Sequence, residues 1–163
     1  FEMVNMCVEI NTTRSISAQI LRHRSFSFQE FSQRYASVEE LELPIPPDLR
    51  LQDSKNRQNS IDSDDIDKLN WQTSIQLHYS NSYKLYKNLI KNGIAKECAR
   101  EVLPMSSPTR LYMNGTLRSW IHYVDLRCGN GTQKEHRDIA QACKLLIKTE
   151  FPLTFKATSE VIS

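Results

Sequence analysis

Apolar and polar residues alternate along the first ten positions. Glu2, Val4, Met6, Val8 and Ile10 fall on one side of an extended chain and are mostly apolar, while Phe1, Met3, Asn5, Cys7 and Glu9 fall on the other. That two-residue period predicts a strand over 1–10, with Glu2 interrupting its apolar side. Asn11-Thr12-Thr13 follows, a run of short polar side chains suited to capping the free N–H groups of a helix start. A short helix over 14–21 is predicted, with Ile16 and Ile20 sharing one face and Gln19 on another. The segment 34–38 reads as a strand.

Residues 39–65 change character. Pro44, Pro46 and Pro47 forbid regular structure, and an almost wholly polar run covers 52–60; a long surface loop within one domain is predicted, without chemistry of its own. From Asp62 to Asn92 the stripe Ile66, Leu69, Thr73, Leu77, Ser80, Tyr83, Tyr86 and Ile90 has helical spacing, and Gly93 ends it. A second, short helix covers 94–102, before Pro104. A strand over 109–114, stopped by Gly115, leads to a helix opened by Thr116 and running through Leu126. Gly129-Asn130-Gly131 is a turn. Thr132 opens the last long helix, with Glu135 completing a capping box. Its apolar face is Ile139, Ala142, Cys143, Leu146 and Ile147, and residues 153–163 form a short terminal helix or tail.

Composition narrows the function classes. The chain has 163 residues, 39% of them hydrophobic, and a formal net charge of +2, so nothing general favours nucleic acid or a membrane as partner. Cys7, Cys98, Cys128 and Cys143 lie far apart without metal spacing, which predicts reduced thiols, no metal and a cytoplasmic setting. No apolar run approaches the roughly 18 residues of a membrane span. The chain opens on Phe1 inside a strand pattern, and the expectation is one domain over 1–163 that has lost an N-terminal part. His78 stands alone and reads as a packed or surface histidine.

The candidate chemistry is concentrated between Arg22 and Arg34. Arg22, His23 and Arg24 stand in a row, and Glu30, Ser32 and Arg34 fall on every second residue. An extended chain would aim those three at one ligand, with Phe31 and Gln33 facing away. A planar guanidinium grips two phosphate oxygens at once; Ser32 adds a hydroxyl, and Glu30 can accept from ribose hydroxyls or a base N–H. Further on, Arg118, His122 and Leu126 share a helix stripe, whereas Arg127 lies about half a turn round at roughly 100° per residue. The two arginines therefore serve different ligands or different active sites of an oligomer.

Arg22-His23-Arg24, seven residues and then Ser32, with Glu30 and Arg34 flanking it, resembles the signature of the flavin-dependent thymidylate synthases. Leu117-Arg118-Ser119 with Asp125-Leu126-Arg127, and Ala99-Arg100 with Leu103-Pro104, are similar to two further blocks of that family in the same order. The resemblance implies an α+β fold, a small, mainly antiparallel sheet flanked by long helices, assembled as a homotetramer. It implies reductive methylation of dUMP to dTMP, with methylenetetrahydrofolate giving the carbon and FAD, reduced by NADPH, giving the hydride. It places FAD against Arg22, His23, Arg24, Glu30, Thr116, Leu117, Arg118 and His122, and an acidic residue at the place of Glu2 near the flavin. It places the nucleotide against Gln19, Arg22, Glu30, Phe31, Ser32, Gln33, Arg34, Arg100 and Arg127, the last acting on the pyrimidine during catalysis. Thr116 and His122 stand where the family often has Asn, and Gly131 where it often has His. A nucleotide- or RNA-binding module without catalysis is the competing reading.

Overall fold

The alternation at the N-terminus becomes a strand, and a later strand organises the rest around it. The computed structural model describes residues 1–35 and 42–158. Along the chain it contains β1 (Asn5–Thr13), α1 (Arg14–Ile20), β2 (Ser27–Glu30), β3 (Leu51–Gln52), β4 (Ser60–Ile61), α2 (Lys68–Lys91), α3 (Lys96–Ala99), a 3-10 turn (Arg100–Val102), β5 (Pro108–Thr116), α4 (Leu117–Arg127), α5 (Lys134–Glu150) and α6 (Pro152–Thr158). This is a mixed α and β architecture with six helices among the described residues.

β5 is the centre of a three-stranded antiparallel sheet, with β1 on one side and β2 on the other. Thr109, Leu111, Met113 and Gly115 are buried while Arg110, Tyr112 and Asn114 are exposed, so one face meets the helices and the other meets solvent. On the open face the pairs Glu9–Tyr112 and Asn11–Arg110 stand directly opposite. They are joined by a Tyr112 hydroxyl donating to Glu9 at 2.7 Å and Arg110 Nε donating to Asn11 at 3.0 Å. On the covered face Trp120, Tyr123 and Val124 of α4 pack with Ile16 and Ile20 of α1 and with Ala140, Cys143 and Ile147 of α5. The Trp120 indole N–H donates to the Met6 carbonyl at 2.9 Å, which lets a large polar-tipped ring be buried.

Several boundaries differ from the sequence expectation, each for a physical reason. β5 runs through Gly115 because the Phe26 ring lies against it: a Cβ there would stand 2.5 Å from Phe26 Cδ1. α2 starts at Lys68 and not at Asp62, because the Asp67 carboxylate caps it by accepting from Asn70 N at 3.2 Å. The helix is buried only in its second half, at Tyr83 and Tyr86 of the expected stripe and at Tyr79 beside it, where α3 and the 3-10 turn pack and Ser82 donates to the Val102 carbonyl. Leu69 and Leu77 are 78% and 63% exposed. Gly93 has φ +81°, the left-handed residue just past that helix. The expected Thr132–Glu135 capping box does not form: Gln133 is the cap residue, and Glu135 turns instead to Arg50. α5 is also rotated relative to the expected face. His136, Ala140, Cys143 and Ile147 are buried, while Ala142 and Leu146 face outward, because a histidine takes the first core position.

The described part of the 39–65 loop carries a short hairpin, β3–β4, which Gln52 ties together through the carbonyls of Asn56, Arg57 and Asn59. The strand expected over 34–38 lies partly outside the described residues; Arg34 and Tyr35 sit in a turn. Among the described residues no helix is long and apolar enough to cross a membrane.

Candidate functional site

Arg127 closes α4, and its Nε donates to His23 Nε2 at 2.9 Å. His23 must offer a bare Nε2 to receive that bond, so its proton is on Nδ1. Burial, then the Arg127 charge beside it, then His122, lower the His23 pKa to about 4. The imidazole is therefore neutral and serves as an acceptor that holds the guanidinium. Its ring lies edge-on to Tyr123, with centroids 5.0 Å apart, and Tyr123 stands against Trp120 and Phe26.

Beside this pair runs a network of side chains, neutral from Tyr123 to Gln133 and closed by the Glu135–Arg50 ion pair. His136 bonds Tyr123 through Nε2 at 3.2 Å and Gln19 through Nδ1 at 3.3 Å. Gln19 Nε2 donates to Gln133 Oε1 at 2.8 Å, Gln133 Nε2 donates to Glu135 Oε2 at 2.9 Å, and Arg50 Nη2 donates to Glu135 Oε1 at 2.6 Å. Burial, then the charges of Arg127 and His23, bring His136 to about 4 as well, and burial raises the Tyr123 hydroxyl. None of Tyr123, Gln133, His136 or Arg50 carries a motif, and Glu135 stood out only as a member of the capping box that does not form. His136 left one trace in the sequence, a polar residue four before Ala140 and seven before Cys143 on the buried face.

The second half of the signature points elsewhere. β2 ends at Glu30, so the expected common face of Glu30, Ser32 and Arg34 does not exist. Glu30 turns inward and accepts from Ser17 at 2.7 Å and Thr109 at 3.1 Å. Ser32 Oγ accepts from the Arg34 backbone N–H, which builds the turn at 33–35. Gln33 is 4% exposed whereas Phe31 is exposed, so these two do not share a side either. Arg34 reaches Glu97 at 3.3 Å, and half-buried Arg100 reaches Glu101 at 3.7 Å. Both guanidiniums thus end on carboxylates of one short helical segment.

Ser17 and Gln19 are two residues apart on α1, about 200° round its axis at 3.6 residues per turn. Ser17 holds Glu30 on one side; Gln19 meets the His136 network on the other. The Gln19–Arg127 candidates and the Glu30–Arg34–Arg100 candidates therefore form two groups on opposite sides of α1 within one chain.

A third group surrounds the start of α4. Thr116 caps the helix by accepting from Ser119 N at 3.3 Å, and Leu117 is buried. Arg118 and His122 are exposed on the next turn. Arg118 donates from Nε to Glu2, and this hydrogen bond is the main reason the Glu2 pKa falls to about 2. Glu2, which interrupts the apolar side of the N-terminal pattern, is thus paired. Arg22 and Arg24 are exposed and form no ion pair among the described residues. Such an arrangement of exposed guanidiniums beside a neutral, preset amide and imidazole suits a phosphorylated heterocycle.

The mixed α and β fold and a cluster of guanidiniums around an Arg-His-Arg run narrow the class of protein, and comparison with known proteins gives the family. Residues 1–153 match the family described as "Thymidylate synthase complementing protein". The chain is 54% identical over 158 residues to a "Probable flavin-dependent thymidylate synthase" of Paramecium bursaria Chlorella virus 1, covering 96% of this chain and 72% of that protein. It is 52% identical over 153 residues to a "Flavin-dependent thymidylate synthase" of Synechocystis sp., covering 93% and 70%. A Thermosipho africanus protein of the same name is 34% identical over 158 residues. The chain belongs to this family of thymidylate synthase complementing proteins. The competing reading, a binding module without catalysis, has no support from these relatives.

Proposed function

We propose that this chain is a flavin-dependent thymidylate synthase, converting dUMP to dTMP with methylenetetrahydrofolate as carbon donor and NADPH as reductant. The observation that carries the reading is Arg127, held by the neutral His23 of the Arg-His-Arg signature and placed beside the Gln19 network. A pyrimidine becomes nucleophilic at C5 when negative charge on its ring is stabilised, and a fixed guanidinium does that electrostatically. Arg127 supplies it, and His23 keeps it from swinging away. Gln19 and Glu30 meet the base and sugar, with Phe31 and Gln33 beside them; Arg22, Ser32, Arg34 and Arg100 take the phosphate.

The donor set also fits FAD. Arg22 and Arg24 are exposed cations suited to its diphosphate, and His23, Glu30, Thr116, Leu117, Arg118 and His122 supply the remaining contacts. When bound, the reduced flavin supplies the hydride. The surface ion pairs of Arg34, Arg100 and Arg118 are weak enough to be exchanged for a ligand.

Because α1 separates the Gln19–Arg127 group from the Glu30–Arg34–Arg100 group, one site needs both groups from different copies. We therefore read the working form as a homotetramer, in which Leu69, Trp71 and Leu77 of α2 gain partners. No nucleic acid or membrane partner is invoked, and the protein acts in the cytoplasm. The test is an absorbance spectrum of the purified protein followed by titration with dUMP. Flavin bands that shift on adding the nucleotide, with dTMP formed when folate and NADPH are supplied, are the expected result. A protein that takes up no FAD and binds no dUMP would sink the reading.

A further inference from the structure

We infer that His136, held by Tyr123, is a positioning residue that locks the Gln19 amide in one orientation for the pyrimidine. The inference rests on the proposed function, since it assigns Gln19 a nucleotide to meet.

The Glu135 carboxylate only accepts, so the Gln133 group facing it must be its NH2, at 2.9 Å. Gln133 then shows its carbonyl to Gln19 and must accept there, so Gln19 donates with Nε2 at 2.8 Å. That places Gln19 Oε1 against His136, which must donate from Nδ1 at 3.3 Å. A neutral imidazole with its proton on Nδ1 has a bare Nε2, and the Tyr123 hydroxyl donates to it at 3.2 Å. One amide orientation and one tautomer satisfy every bond. The order is anchored by Arg50, whose guanidinium holds Glu135 at 2.6 Å.

His136 is fully buried at a position of α5 that otherwise continues an apolar stripe. A polar ring in such a place costs stability unless both nitrogens are bonded, and an aliphatic side chain would fill the space without that demand. What the imidazole does that an aliphatic group cannot is fix Gln19. Gln19 itself is half-buried, and its amide keeps one N–H and one carbonyl lone pair beyond the bonds above. Held still, these form a donor–acceptor edge, the complement of the carbonyl and N–H edge of a uracil ring. A flipped Gln19 would present the reverse order.

The test measures kcat and KM for dUMP, with thermal unfolding alongside, in the wild type, His136→Phe, His136→Gln, Tyr123→Phe and Gln19→Ala. Loss of one neutral hydrogen bond predicts a KM for dUMP roughly 3- to 10-fold higher in His136→Phe, with kcat changing less than about twofold. A glutamine at 136 can donate to Gln19 and accept from Tyr123, so His136→Gln restores most of the loss. Tyr123→Phe, which removes only a hydroxyl and keeps the ring, raises KM by about 2- to 5-fold and serves if His136→Phe does not fold. In the Gln19→Ala background, His136→Phe raises KM no further. Equal, additive KM effects in both backgrounds overturn the inference, as does an unchanged KM with lowered thermal stability. Wild-type protein that binds no dUMP overturns the proposed function and the inference with it; wild-type binding with unaltered variants overturns the inference alone.

Discussion

The two sides of α1 are built on different principles. On the Gln19 side, neutral groups satisfy one another in a fixed order, and the cation, Arg127, is held by an imidazole that stays uncharged. On the Ser17 side, Glu30 is pinned to the fold and Ser32 holds the backbone turn that follows it, but Arg34 and Arg100 reach outward to surface carboxylates. The first side is preset for a planar, neutral-to-anionic ring. The second offers charges in pairs that water and a phosphate can replace at little cost. A site assembled from both would combine a rigid half that directs chemistry with an adjustable half that holds the ligand.

The sharpest way to break this comparison is to remove the support beneath the rigid half. Trp120 is fully buried and stands against Phe26 and Tyr123, which in turn face His23. Trp120→Ala should cost about 3–5 kcal/mol in urea unfolding. Arg34→Ala, on the adjustable side, should change stability by no more than about 0.5 kcal/mol. Similar losses from both would mean that the halves are not built differently.

The next largest effect separates direction from holding. Arg127→Ala should lower kcat for dTMP formation by about 10²- to 10³-fold, the usual result of deleting a preorganised charge-stabilising donor. Arg34→Ala and Arg100→Ala should instead raise KM for dUMP, by roughly 10- to 100-fold each for a lost charged hydrogen bond, with a smaller change in kcat. Steady-state kinetics at saturating folate and NADPH decides. A kcat-dominated loss at Arg34 would move that residue into the rigid half.

How much of this was legible in the sequence follows from the same division. The alternating faces of the N-terminal strand, α1, and the opposed directions of Arg118 and Arg127 follow from periodicity, although the strand runs over Asn5–Thr13 and not 1–10 and takes in the Asn11-Thr12-Thr13 run expected to cap α1. The signature singled out His23 and Arg34 as candidates, and a separate block of the same resemblance singled out Arg127, before any fold was known. Three things could not be read. Gly115 looks like a strand end because nothing local shows that the Phe26 ring will lie on it. The common face of Glu30, Ser32 and Arg34 failed because the Ser32 hydroxyl turns the backbone just after β2. The Gln19–His136–Tyr123 network joins residues more than a hundred positions apart, and Arg50 enters from a loop without pattern. Long-range polar satisfaction leaves almost no local trace, and His136 left one only by interrupting an apolar stripe.

The smallest expected effect concerns protons. His23 and His136 have pKa values of about 4 in the folded chain, lowered first by burial and then by the charge of Arg127 and of their histidine neighbours. An unfolded histidine titrates near pH 6.5. Between those values the unfolded chain binds protons that the folded chain refuses, so the contribution is fully present above about pH 6.5 and is lost as pH falls toward about 4. Burial opposes ionisation of Glu135, but its bonds to Arg50, its own backbone and Gln133 outweigh that and lower its pKa, so its contribution is present above the range of an unfolded carboxylate and is lost as pH falls through that range toward the lower folded value. The interval from about pH 7 to about pH 5.5 therefore isolates the two histidines. Urea midpoints should fall across that interval in the wild type and in Arg34→Ala alike, and less steeply in His136→Phe. A wild-type midpoint that stays level would mean that the rigid half accepts a proton without strain, and that its neutral hydrogen-bond order is not what distinguishes it from the adjustable half.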